Sequence, residues 1–260
     1  MKEIESAEQA NEVGLTRRIA DFWTRNVNAE RLYGRKVSAN ERGSEAYFVD
    51  LQTQRYRSHT HLPPWIAQIP AGSRTLEIGS GIGLDAFTMA SAGVDLTALD
   101  LTLVGVKTAQ ERFARAGLTT VFTVGDATRL PFRDGGFQHV YSFGVLHHAA
   151  DTTSCIDEVH RVLATGGTAL IMLYHRHSLN ELVHRLMRVP FEEKDELCPV
   201  VRRYTRAEIR RLFAKFSEVE IETEYLFGEG YGAVYTWFPN WLYRPLSRRL
   251  GWHLMIRARR

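Results

Sequence analysis

The stretch Thr75-Leu76-Glu77-Ile78-Gly79-Ser80-Gly81-Ile82-Gly83 decides the fold. A short apolar strand breaks at Gly79. Glycines at alternate positions then let the backbone turn tightly and approach a ligand with no Cβ in the way. The run from Leu84 to Ala92 has helical periodicity, so a helix N-terminus follows, whose free N–H groups favour an anionic group. A pyrophosphate and a carboxylate both satisfy that requirement. Spacing narrows the choice only slightly. In the dinucleotide pattern G-x-G-x-x-G counted from Gly79, the third glycine would fall at Leu84. Counted from Gly81, the pattern is Gly81-x-Gly83-x-x-Ala86, a permitted variant. Glu77 adds a feature of its own, an acid near the strand end that can accept from water or from an amino group.

Outward from this loop, strands and helices alternate. Val94 to Leu99 reads as a buried strand ending at Asp100, and Val104 to Ala116 as an amphipathic helix stopped by Gly117. Thr119 to Val124 is a third strand, ending at Gly125-Asp126. Val140 to Val145 is a fourth and Ala169 to Tyr174 a fifth, with a helix from about Ser154 to Leu163 between them. Such alternation implies parallel βαβ units with right-handed crossovers and helices on both faces. Gly79, Asp100, Asp126 and Phe143 then open on one sheet edge, where ligands bind in such folds. The expected architecture is α/β: a Rossmann-like, seven-stranded, mostly parallel sheet with an N-terminal helical cap.

Residues 1 to about 70 differ from the rest. Phe22, Trp23, Tyr33, Tyr47, Phe48, Tyr56 and Trp65 lie among many charges, and Val13 to Trp23 has helical spacing. Pro63-Pro64 and Pro70 punctuate the chain. The reading is a helical cap and linker over 1–70, then one domain over 71–260. An insertion at about 175–203 and an aromatic segment at about 226–245 interrupt it. Thr205-Arg206-Ala207-Glu208 is a capping box with Tyr204 and Ile209 as a hydrophobic staple. Val219 to Leu226 and Trp252 to Ala258 alternate as strands.

Composition sets outer limits. The chain has 260 residues, 44% hydrophobic and 24% charged, with net charge +3. That balance is too weakly basic to imply a nucleic-acid partner. Cys155 and Cys198 have no ligand spacing, so neither a disulfide framework nor a metal site is expected. The polar start MKEIESAEQANEVG lacks a signal-peptide pattern, and no run approaches the roughly 18 apolar residues of a membrane span. A cytoplasmic protein is the expectation. The arginines at 202–203 and 206–211 read as a solvated face, and Trp23, Tyr33, Tyr56, Trp237 and Trp241 as core.

Taken in order, Glu77-x-Gly79-x-Gly81-x-Gly83, Asp100, Gly125-Asp126-Ala127 and Val145-Leu146-His147-His148 resemble class I methyltransferases dependent on S-adenosylmethionine (AdoMet). The nearest branch modifies quinones, sterols and natural products. The resemblance covers residues 74–175 well and the C-terminal strands loosely. It implies Glu77, Gly79 and Gly83 around the methionine portion of the cofactor and Asp100 at the ribose, with Gly81 and Leu101 also among the cofactor-binding residues. It implies Asp126 and Ala127 at adenine, and Phe143 to His148 along the cofactor. Two positions depart from the family: Gln138 stands in place of Asp, and Ala164-Thr165 in place of Lys-Pro. The implied reaction is in-line methyl transfer to a small-molecule acceptor, with the cap, insertion and aromatic segment walling its pocket. A base is needed only for an acceptor that must lose a proton; His148 and His175 are the candidates. Trp237, Phe238, Trp241, Leu242 and Tyr243 beside Arg244, Arg248 and Arg249 suit an interface, so a lipid or prenylated acceptor at a membrane surface is the alternative. A nucleic-acid methyltransferase, an NAD-dependent dehydrogenase and a non-catalytic AdoMet-binding protein are further alternatives.

Overall fold

A computed structural model describes residues 2–27, 37–188, 197–228 and 237–260. Among the described residues the first helices are α1 (Lys2–Arg25), α2 (Glu45–Ser58) and α3 (Leu62–Ile66). The alternating part follows as β1 (Arg74–Ile78), α4 (Leu84–Ser91), β2 (Asp95–Asp100), α5 (Leu103–Arg115), β3 (Val121–Val124), β4 (Phe137–Phe143), α6 (Thr152–Val162) and β5 (Leu163–His175). The remainder is α7 (Leu179–Met187), β6 (Arg203–Tyr204), α8 (Arg206–Leu212), β7 (Glu218–Glu224), α9 (Asn240–Leu250) and β8 (His253–Arg259).

The sheet order is β3-β2-β1-β4-β5-β8-β7, with β6 paired to the end of β5. Strands β1 to β5 are parallel, and β8 runs antiparallel to both β5 and β7. Among the described residues this path has the expected seven strands, and β6 adds an eighth at its side. The extra one is the two-residue β6, which aligns Arg203 with Tyr174 and Tyr204 with His175, and is too short to leave a periodic trace in the sequence. The order reverses between β1 and β4, so the ligand crevice of such a sheet opens at their carboxyl ends.

Side-chain parity builds a core on each face. Along β5, Ala169, Ile171 and Leu173 join one cluster with Ile156 and Val159 of α6 and Ile209 of α8. The alternate residues Leu170 and Met172 join another with Ala86 and Met89 of α4, Phe113 of α5, and Trp65 and Ile66 of α3. The helices present matching stripes. In α5, Val106, Ala109 and Phe113 are buried at i, i+3 and i+7. Caps fix their starts: Thr102 for α5, Asp151 for α6 and Ser178 for α7 each accept from backbone N–H groups of the first turn. The capping box at α8 is closed in both directions, Glu208 N to Thr205 Oγ1 at 3.2 Å and Thr205 N to Glu208 Oε2 at 2.8 Å. Gln138 gains a local use, accepting from Arg74 N at the start of β1 at 3.0 Å.

Some expectations change. Pro63 and Pro64 open α3 instead of breaking the chain, because a first helical turn has no N–H partner to lose. The fourth strand ends at Phe143, where Gly144 turns the chain into a 3₁₀ turn over Leu146–His148. The stretch 175–203 contains a capped helix, α7, and is not irregular throughout. Arg202 and Arg206 are structural staples and not part of a solvated face. Arg202 donates to Ala149 O and Ala150 O, and Arg206 to Ile221 O at 2.9 Å. Trp237 and Trp241 are 84% and 77% exposed and not core, whereas Ser247 of α9 is wholly buried. Tyr33 and the 229–236 part of the aromatic segment lie outside the described residues.

Candidate functional site

The loop after β1 is held from below. Gly79 N and Ser80 N both donate to Leu99 O, at 2.7 and 3.1 Å. Gly79 has φ +81°, and a Cβ there would sit 2.2 Å from Val145 Cγ2, so no other residue fits. Gly81 N donates to Asp100 Oδ2 at 2.7 Å, while Asp100 Oδ1 accepts from Thr102 N at 2.8 Å and Thr102 Oγ1 at 2.7 Å. Asp100 therefore ties the loop to the start of α5. A carboxylate has about four acceptor sites, so this one retains capacity for a ligand hydroxyl.

A cavity of about 250 Å³ lies over this loop. Its lining includes Glu77, Gly79, Gly81, Asp100, Leu101, Asp126, Ala127, Phe143 and His148, so the fold gathers nearly all the residues singled out in the sequence. Glu77 and Ser80 are both buried, and neither Glu77 Oε2 nor Ser80 Oγ has a hydrogen-bond partner among the described residues. Burial, and next the neighbouring Asp85, push the Glu77 carboxyl well above the ordinary range. Orphaned buried polar atoms are costly unless a ligand or water meets them. At the far side Asp126 Oδ1 caps Thr128 N at 2.9 Å, and Oδ2 accepts from Thr16 of α1 at 3.3 Å.

Two expected site residues lie elsewhere. Gly83 does not line the cavity; it is the left-handed N-cap of α4, where a Cβ would come within 3.0 Å of the Ala109 side chain. Its role is helix packing. His175 also falls outside the cavity. Successive side chains of β5 point to opposite faces, so Tyr174 lines the cavity while His175 turns away, its Nδ1 3.0 Å from Gly251 O. His148 remains at the wall. Its Nδ1 is 2.7 Å from Val200 O, which can only accept, so that nitrogen carries the proton. The adjacent His147 is fully buried, neither ring nitrogen has a partner among the described residues, and burial, then His148, keeps it neutral.

The other end of the cavity carries groups the sequence reading did not select. Arg55 of α2 meets Asp85 of α4 through Nε at 2.8 Å and Nη2 at 2.6 Å. Tyr141 OH and Tyr56 OH donate to the same carboxylate at 2.8 and 3.2 Å. Burial alone would raise the Asp85 carboxyl; Arg55 and the two hydroxyls outweigh it and hold the group below its ordinary range. His59, beyond the end of α2, and His253, opening β8, complete this end with Phe143, Met172 and Tyr174. Among the described residues, neither the 175–203 insertion nor the aromatic segment contributes to the wall. The contribution of α1 and α2, through Thr16, Ile19, Trp23, Arg55 and His59, is extensive. Among the described residues no group of three or more His, Cys, Asp or Glu side chains is arranged to hold a metal ion, and no helix is long and apolar enough to cross a membrane.

Known proteins resemble this arrangement. Residues 76–171 match the family model described as a methyltransferase domain. The 27-O-demethylrifamycin SV methyltransferase of Amycolatopsis mediterranei (strain S699) is 37% identical over 100 residues, 37% of this chain and 37% of that protein. The demethylmenaquinone methyltransferase of Paenarthrobacter aurescens (strain TC1) is 32% identical over 121 residues, 46% of this chain and 45% of that protein. The chain thus spans less than half the length of these relatives. A solved structure from Thermotoga maritima, described as a SAM-dependent methyltransferase and possible histamine N-methyltransferase, superposes with a TM-score of 0.62. It is 16% identical, with 93% of this chain and 99% of that one covered, a likeness of fold.

Proposed function

We propose that this chain, whose residues 76–171 form a class I AdoMet-dependent methyltransferase domain, transfers a methyl group to a small organic acceptor. The observation that carries the reading is the pair of buried oxygens without a partner among the described residues, Glu77 Oε2 and Ser80 Oγ, in a cavity that Asp100 and Asp126 also line. These residues fit the cofactor. Glu77 receives the ammonium of its amino-acid end, and the left-handed turns at Gly79 and Gly81 let that end approach the backbone. Asp100, with Leu101 beside it, accepts from a ribose hydroxyl. Asp126 accepts from the adenine amino group, with Ala127 against the ring and Phe143 to His148 alongside.

When bound, AdoMet supplies an electrophilic methyl carbon on a sulfonium. The protein has only to hold a nucleophilic atom in line with it and exclude water, and orientation of that kind supplies up to about 7–11 kcal/mol of barrier reduction. Trp23, Phe143, Met172 and Tyr174 form the apolar wall that does so. His148 adds a ring fixed at Nδ1 by Val200 O, which leaves Nε2 as its basic nitrogen. The names of the two relatives, for a rifamycin and a demethylmenaquinone, support a small-molecule acceptor over a polymer.

Calorimetric titration with AdoMet and with S-adenosylhomocysteine, on the native protein and Asp100→Ala, tests the reading. Micromolar binding weakened by the substitution is expected; no binding of either ligand would overturn it. A second reading, an acceptor presented at a membrane surface, is favoured by exposed Trp237 and Trp241 near Arg248 and Arg249. Failure to sediment with anionic vesicles would dismiss it.

A further inference from the structure

Three imidazoles and a tyrosine gather at the end of the cavity away from Asp126. The rings of His59, His253 and Tyr225 are parallel within 8°, and Tyr225 lies 4.7 Å from each imidazole, equidistant over the pair. Phe143 stands edge-on to both, at 6.1 and 5.2 Å. His61 Nε2 and His253 Nδ1 are 3.0 Å apart, so one proton is shared between these two rings. Tyr225 is held at φ +64°, a conformation bulky residues rarely adopt. Strain of this kind persists where the surroundings over-determine a side chain's position.

The hydrogen bonding of His59 fixes its chemistry. Its Nδ1 is 3.1 Å from Arg55 O. A carbonyl only accepts, so Nδ1 carries the proton and Nε2 keeps its lone pair. His59 lines the cavity and is half-buried. Among the described residues the charged groups lining this end are Arg55 and Asp85, which are bonded bidentately to each other. Burial, then Arg55 and His61, lowers the His59 pKa to about 3, so the ring is neutral at physiological pH. His253, facing it, is likewise held neutral by burial and then by its histidine neighbours.

We propose that this end of the cavity is the acceptor subsite, and that it takes an uncharged aromatic ring whose hydroxyl donates to His59 Nε2. The inference rests on the methyltransferase reading of the same cavity. Phe143, Met172 and Tyr174 supply flat apolar walls, and His59 supplies one directed acceptor of a hydrogen bond. An anionic acceptor is disfavoured because it would have to compete with Asp85 for Arg55. His253 differs from His59: it presents a donor or an acceptor according to which ring of its pair holds the shared proton. His59 has no such freedom, so it sets the requirement for a protic group.

The test uses the whole protein labelled with ¹⁵N-histidine, with and without saturating S-adenosylhomocysteine. The probes are 2-naphthol, 2-methoxynaphthalene and 2-naphthoate. Long-range ¹H–¹⁵N correlation spectra report the protonation of each ring nitrogen. Expected is a His59 ring protonated at Nδ1, whose Nε2 resonance moves with 2-naphthol and stays fixed with the other two. His59→Ala should weaken 2-naphthol binding about tenfold, the scale of one lost hydrogen bond, and leave S-adenosylhomocysteine affinity unchanged. A His59 ring protonated at Nε2, an unmoved Nε2 resonance, or 2-naphthoate binding as well as 2-naphthol would overturn the proposal. Failure of S-adenosylhomocysteine to bind would instead overturn the cofactor reading, and the spectra without it would still decide the subsite.

Discussion

The protonation of Glu77 gives the sharpest test of the cofactor site. The residue is 3% exposed, one carboxyl oxygen has no partner among the described residues, and burial followed by the charge of Asp85 raises its pKa well above the ordinary value. In the ligand-free protein it therefore holds a proton at pH values where an exposed glutamate, near about 4.3, has lost it. An ammonium group placed beside it favours the carboxylate, so binding expels that proton. Between the carboxyl's pKa in the complex and its raised pKa in the free protein, AdoMet affinity should rise about tenfold per pH unit, about 1.4 kcal/mol. Above the raised pKa the dependence should vanish. Stability of the free protein runs the other way. The folded state binds the proton more tightly than the unfolded chain, so stability is full below the unfolded pKa. It is lost at up to about 1.4 kcal/mol per unit as pH rises toward the folded pKa. Glu77→Gln should abolish the pH dependence of binding and raise the melting temperature at the upper end of that window. Calorimetry in phosphate and in Tris, whose ionisation heats differ, counts the protons released. Buffer-independent heats together with a flat affinity profile in the native protein would refute this account of Glu77.

Two further substitutions probe the loop and its bracing. Arg55→Leu leaves the buried Asp85 carboxylate with only its tyrosine donors, a loss of about 3–5 kcal/mol for half of a buried pair; chemical denaturation should show it, and Arg55→Leu with Asp85→Leu together should regain most of the loss. Gly79→Ala places a methyl group 2.2 Å from Val145 Cγ2 at φ +81°, so unfolding free energy should fall by more than the roughly 1–2 kcal/mol of left-handed strain alone, and S-adenosylhomocysteine binding should disappear in calorimetry.

The parts legible in the sequence are those whose signal is local. Glu77, Asp100 and Asp126 each end a short apolar run beside a glycine or a new helix, and strand parity with a parallel topology brings such ends together without further information. The fold could be read for the same reason. Misplacements follow from details finer than the pattern. His175 lies one residue past Tyr174, and in a strand one residue is the difference between the two faces of the sheet. Pro63-Pro64 is equally compatible with a break and with a helix start, and neighbouring buried Trp65 and Ile66 decide for the helix. Trp237 and Trp241 suited a core by type alone. Arg55, Asp85, His59 and His253 were invisible because their meaning depends on pairing across the fold. Arg55 finds Asp85 thirty positions away, and His61 finds His253 at a separation of 192.

The bracing of the cap bears on how the site is built. Gln52, Arg55 and Tyr56 are spaced i, i+3 and i+4, one face of α2. Gln52 and Tyr56 each meet Thr88 Oγ1 of α4 at 2.6 Å, and Arg55 meets Asp85 of the same helix. Arg112 of α5 closes the seam, donating to Gln52 and, at 3.1 Å, to Gly83 O. Apolar side chains of similar volume would hold two helices together at least as strongly as a buried ion pair does. What the polar seam adds is register. An apolar contact tolerates sliding, whereas a bidentate pair flanked by hydroxyls has one geometry. Tyr47, Phe48 and Leu51 of α2 pack on Ile82 of the glycine loop and Leu84 at the start of α4, so that register is set against the loop itself. His59 follows directly after the helix as its C-cap, its backbone N–H bonded to Arg55 O. A single helix thus positions the groups over the glycine loop and the imidazole at the far end of the cavity, and disturbance of the seam should be felt at both.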